Sequence, residues 1–180
     1  EILQHEFEDF GGTPLDLERV FLAAPKMTYG ITFGPGEMHD VVLPPERSRL
    51  VAFRSGALSL AFALVAEAAQ DRDVDPEEFE IFEPVLVGES ERLPGIQITD
   101  RLVNGSGLCH WLAERRGAST NLERLLRRIV NPDEGRVREW NKHRHVCSTS
   151  CYRCLQRYGN RAYHGLLDWR LAVDFAQLCL

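Results

Sequence analysis

At 180 residues, with 44% hydrophobic and 27% charged residues, the chain has the size and composition of one ordinary globular domain, or of two small ones sharing an interface. Its longest apolar run, residues 57–66, falls well short of the ~20 residues a membrane-spanning helix needs. No basic, apolar and cleavage segments open the chain, so the expectation is a cytoplasmic protein with no membrane partner.

The net charge of −6 conceals an uneven distribution. Residues 1–100 hold 7 Lys and Arg against 20 Asp and Glu, whereas residues 101–180 hold 14 against 7. Either the basic half meets nucleic acid or another acidic partner, or the two halves attract each other across an internal interface; charge leaves both open. The start at Glu1 rather than Met suggests a segment of a longer protein.

In chain order, Thr13-Pro14 predicts a short helix over residues 13–24, with Pro at the first helical position. Alternating β-formers predict a strand over 28–33, ended by the turn Gly34-Pro35-Gly36, and shorter strands over 41–43 and 50–53. Residues 55–70 are apolar nearly all round, as in a buried helix. The acidic stretch 71–80 reads as a solvated linker with a turn at Pro76. Residues 79–87 and 95–102 then form a hairpin about the polar turn 88–92. A glycine-rich turn, Asn104-Gly105-Ser106-Gly107, leads into a helix at Leu108. Residues 121–130 place Leu122, Leu125, Leu126 and Ile129 on one helical face, and residues 167–178 form a last helix with Leu171, Phe175 and Leu178 inward. The fold class is α+β: a small sheet with a buried helix, then a helical four-cysteine zinc-knuckle region. The expected division is a β-rich segment over 1–54 and a helical, zinc-binding domain over 55–180.

Five cysteines and no secretion signal favour metal ligation over disulfides. Cys147, Cys151 and Cys154 are spaced so that three sulfurs can converge on one Zn2+ without straining the backbone. For the fourth ligand Cys109 stands first, and His110, His143, His145 and His164 compete with it. An iron–sulfur cluster also fits the spacing. Four protein ligands leave no open position, which argues for a structural rather than a catalytic metal. Cys179 reads as a core or free thiol.

The motifs Asn104-Gly105-Ser106-Gly107-Leu108-Cys109, Cys147-Ser-Thr-Ser-Cys151-Tyr152-Arg153-Cys154-Leu155, Tyr158-Gly-Asn160, His164 and Leu167-Asp168-Trp169-Arg170 together resemble one family. It is the zinc-binding domain of the mitomycin repair factor A type, found at the carboxy end of superfamily-2 DNA helicases and in DISARM anti-phage components. The resemblance covers roughly residues 95–175. It implies zinc on Cys109, Cys147, Cys151 and Cys154, and an accessory role in helping a helicase engage DNA in repair or antiviral defence. It implies no catalytic activity in this segment.

The sequence contains no GxxxxGK[ST] loop: residues 30–37 carry glycines but lack the Lys and hydroxyl that phosphate and Mg²⁺ require. If the parent protein is an ATP-dependent DNA helicase, its motor domains lie elsewhere and are expected partners, in the same chain or in another subunit. His39-Asp40 reads as surface. His164 and Asp168 either hold the zinc loop by hydrogen bonds or cap the last helix. Arg153, Arg157 and Arg161, interleaved with Tyr152, Tyr158 and Tyr163, fit contact with single-stranded or forked DNA. The competing view packs the tyrosines inside and makes the segment a protein–protein scaffold that docks a helicase partner without touching DNA.

Overall fold

The computed structural model describes residues 27–35, 51–87 and 93–180. The expected helix over 13–24, the strand over 41–43, the turn over 88–92 and the His39-Asp40 pair lie outside the described residues.

The sheet is organised about one strand. β1 (Gly30–Phe33), β2 (Phe79–Ile81) and β3 (Val85–Val87) all pair antiparallel with β4 (Leu93–Asp100), β1 on one edge and β2 and β3 on the other. Ile31 lies opposite Ile98, Phe33 opposite Ile96, and Ile81 opposite Ile98. Period-two alternation therefore sends these side chains to one face, where Ile96 and Ile98 are buried. The other face is small and polar. Gly30 lies opposite Thr99, and a Cβ on it would come within 2.9 Å of Thr99 Cγ2.

α1 (Val51–Arg72) is packed against β4 and buries Leu58, Leu60, Leu64 and Val65. It is long and apolar enough to cross a membrane, and most of that apolar length is buried within the fold. The strand expected over 50–53 is corrected here: Val51 and Phe53 lie in the first turn of α1, where the strong helical run behind them overrides their preference for extended backbone. The last helix, α5 (Trp169–Leu178, after the three short helices below), crosses α1 closely. Gly56 permits the approach, because a Cβ there would meet Phe175 Cδ2 at 3.2 Å. Ser59 Oγ on α1 accepts the backbone N–H of Asp168 at 2.8 Å. α5 buries Trp169, Ala172, Phe175 and Ala176, while Leu178, expected inward, is exposed.

Between sheet and α5 run α2 (Leu108–Ala113), a two-residue-per-strand hairpin of β5 (Arg115–Arg116) and β6 (Ser119–Thr120), α3 (Asn121–Val130) and α4 (Arg136–Lys142). α3 begins with a capping box: Thr120 Oγ1 accepts the Glu123 N–H and the Glu123 carboxylate accepts the Thr120 N–H. Its arginines meet the acidic end of α1. Arg124 and Arg128 pair with Asp71 at 2.6 and 2.7 Å, and Arg128 and Arg136 both pair with the buried Glu67. Attraction between the two halves of the chain is thus realised in these ion pairs, and Asp71, expected in a solvated linker, is one of their anchors. The rest of that stretch forms a turn of 3₁₀ helix, Pro76–Glu78, capped by Asp75 and running straight into β2. The architecture is mixed helix and sheet, with a small sheet, a buried helix and a cysteine cluster towards the carboxy end.

Candidate metal centre

α4 is short, and Trp140 is its one buried side chain. The helix ends at His143, and the next turn folds back so that Val146 and Cys147 both donate backbone N–H groups to the His143 carbonyl, at 3.0 and 3.1 Å. The chain then reaches a tight turn in which Cys154 and Gln156 donate to the Cys151 carbonyl, each at 3.0 Å. The Cys151 N–H points at Cys154 Sγ at 3.1 Å, an arrangement that places a backbone donor against a sulfur of the cluster.

These turns bring His143, Cys147, Cys151 and Cys154 together, their ligand atoms all within 4.8 Å of one another. Cys154 Sγ lies 3.8 Å from both Cys147 Sγ and Cys151 Sγ. The cysteines are not paired in disulfides. His143 is buried, and Nδ1 lies 3.3 Å from the Glu139 carbonyl. A carbonyl can only accept, so Nδ1 carries the proton and Nε2 presents its lone pair. That Nε2 is buried without any hydrogen-bond partner. An orphaned buried nitrogen beside three thiols is what a bound metal ion would satisfy, and the donor set fits one.

No protein family model, curated protein or solved structure matches this chain.

Burial pushes the thiols of Cys147 and Cys154 up, that of Cys154 to about 12. Burial acts the same way on Cys151, but is outweighed there by the Arg153 N–H and by hydrogen bonds from the two neighbouring cysteines, so that its thiol lies below the ordinary value. Cys151 is the sulfur best prepared to be a thiolate.

Cys109 stands outside this cluster. At the start of α2 its N–H is held by Asp100 Oδ1 at 2.8 Å, and its thiol faces the Ile98 carbonyl at 3.5 Å, inside the sheet. Burial, and then the neighbouring Asp100, push this thiol far up. The fourth position beside the three clustered cysteines is occupied by His143, one of the competing ligands in the sequence, and its signal is the spacing His-x₃-Cys-x₃-Cys-x₂-Cys directly after a helix. His110 and His145 are exposed, and Cys179 is raised to about 12 by burial at the end of α5.

Around the cluster, hydrogen bonds fix the loop. Trp169 donates its N–H to the Thr149 carbonyl at 3.1 Å, and Arg170 donates to the Ser148 carbonyl, tying the loop to the first turn of α5. Asp168 caps that turn by accepting the Arg170 N–H at 2.8 Å. His164 serves a separate place: its Nε2 lies 2.9 Å from both the Arg157 carbonyl and Asn160 Oδ1. The buried Asn160 also accepts the Arg157 N–H and donates to the Leu155 carbonyl, so one amide organises the chain leaving Cys154. Tyr152 meets His164 edge-on, with ring centroids 5.5 Å apart.

Of the predicted contact residues, Arg153, Arg157, Arg161 and Tyr152 are all exposed. Tyr158 is exposed as well, with the Arg161 guanidinium 5.6 Å from its ring centroid. Tyr163 instead packs on Phe62, centroids 5.6 Å apart.

Proposed function

We propose that the chain is a non-catalytic, zinc-stabilised accessory module of a cytoplasmic DNA helicase or helicase-associated protein, in repair or antiviral defence, and that it engages single-stranded DNA. Zinc is favoured by the donor set of three sulfurs and one imidazole nitrogen. It is favoured too by spacing: a tetrahedron with metal–sulfur bonds of about 2.3 Å has edges of about 3.8 Å, and two of the sulfur–sulfur separations are 3.8 Å. Bound there, the ion would lock the loop to α4 and α5, and would leave no open position for a substrate.

The observation that carries the DNA reading is the occupant of the turn between the last two sulfurs. Tyr152, 68% exposed, and Arg153 sit directly between Cys151 and Cys154, so that a metal holding those cysteines would hold an aromatic ring and a cation out to solvent. Arg161 and Tyr158 add a second such pair. Cations for phosphates and rings for bases are what sequence-tolerant single-strand binding uses. Arg124, Arg128 and Arg136 are committed to Glu67 and Asp71, whereas Arg153 and Arg161 form no ion pair among the described residues.

The test is a triple Arg153→Ala, Arg157→Ala, Arg161→Ala variant. It should keep its zinc and its circular dichroism, bind single strands more weakly, and lower the slope of log affinity against log salt by roughly 1–2, at ~0.7 for each arginine that meets a phosphate. An unchanged slope would remove DNA from this surface. Binding to a helicase subunit by a protein with no affinity for DNA would instead favour the scaffold role.

A further inference from the structure

A cleft of about 420 Å³ lies between α1, the residues from Asp75 to Ile81 and the 3₁₀ helix Tyr158–Tyr163. That volume is at the lower end of the range for small-ligand sites. It is lined by Phe62, Phe79 and Tyr163 and by the charged residues Asp75, Glu77, Glu80, Arg101 and Arg157, of which Arg101 and Glu77 pair at 3.7 Å. Arg157 has no carboxylate within ion-pair distance among the described residues. Partial burial, and then the nearby Arg136, push its guanidinium down, so it is a donor held at some electrostatic cost. Tyr158 also lines the cleft, beside Arg161.

Three chemistries could enter. A phosphate would face three carboxylates, Asp75, Glu77 and Glu80, while Arg101 is already paired with Glu77. A hydrocarbon would strip water from five charged groups and return no hydrogen bond. A nucleobase has a planar face for the aromatic walls and an edge that carries donors and acceptors together. We propose that this cleft takes one unstacked base bearing an exocyclic amine, cytosine above thymine, from a strand that passes over Tyr158 and Arg161. The amine donates to Glu77, as carboxylates do for cytosine N4, since Asp75 Oδ1 already accepts the Glu77 backbone N–H at 2.7 Å, and Arg157 donates to the ring acceptors. This inference rests on the DNA reading above and adds a base-binding position to it.

The experiment compares an oligo-dC strand with an abasic strand of equal length, by fluorescence anisotropy on the zinc-loaded protein. Gly159→Phe fills the cleft without removing a charge. Gly159 is exposed and outside the left-handed region, and its Cβ would approach only Glu77 Oε1, at 2.9 Å, the end of a flexible side chain. The variant should bind oligo-dC about tenfold more weakly, the worth of one stacked base, and bind the abasic strand as wild type does. Equal binding of oligo-dC by variant and wild type, or an equal loss on both strands, overturns the cleft while the DNA surface stands. Wild type binding neither strand overturns both. Should Gly159→Phe fail to fold, Glu77→Ala at its exposed position should abolish the preference for oligo-dC over oligo-dT; a preference that survives overturns the proposal.

Discussion

The imidazole of His143 is committed at Nδ1 and open at Nε2, and each of its neighbours in the cluster is a thiol. Replacing it with Ala removes a ligand and leaves three sulfurs, so His143→Ala should lose most of its zinc in elemental analysis, as should Cys151→Ser. Cys109→Ser should retain one zinc per chain and lose about 1 kcal/mol of stability, because a more polar hydroxyl replaces a buried thiol with only a weak partner. Zinc lost from Cys109→Ser with the fold intact would return Cys109 to the ligand set. At this scale the sequence reveals the three clustered cysteines, because their spacing is local. The choice of fourth ligand depends on where α2 and α4 end up in space, which spacing does not encode. The hydrogen bonds of Asn160 and His164 are likewise tertiary, and Asp168 is legible because capping is a local property.

Helices meet through ion pairs at the acidic end of α1. Glu67 is buried and bound by two guanidiniums, so Glu67→Ala should destabilise by about 2–3 kcal/mol in urea unfolding; that is below the full value for a buried pair, because both arginines keep contact with water. Burial alone would raise the Asp71 carboxyl, but hydrogen bonds from Arg124 and Arg128 outweigh it and hold the group below the ordinary carboxylate range. A lowered folded-state pKa stabilises the protein above the unfolded value of about 4, and that contribution fades as pH falls through the folded value. Wild type should therefore exceed Asp71→Asn by about 1 kcal/mol at neutral pH, with the gap closing only in acid below about pH 4. A gap that is constant into strong acid would mean Asp71 acts by packing. α3 was legible over its whole length, because Leu122, Leu125, Leu126 and Ile129 keep a clean 3.6-residue period; its capping box emerged with the structure. The α4 helix was not, since seven residues with one buried side chain carry no period, and two-residue strands such as β5 and β6 carry none either.

For the molecule as a whole, one continuous hydrophobic core joins α1 and the sheet to the carboxy-terminal helices, and the metal loop, tied to the first turn of α5, contributes Cys147 and Leu155 to its edge. Stripping zinc with a chelator should loosen residues 143–170 first, read as faster amide exchange there than in α1. Trp140 and Trp169, centroids 6.1 Å apart and on either side of the loop, should report the change in intrinsic fluorescence. Uniform loss of protection would make the ion essential to the entire fold.

The closure of α5 over α1 also sets an order of events at the ribosome. α1 ends at Arg72 and the helix that covers it begins at Trp169. At ~5–20 residues per second, the intervening synthesis takes roughly 5–20 s, during which a helix apolar enough to pass for a membrane span has no final cover. A nascent chain at that stage is expected to be held by chaperones until α5 covers α1.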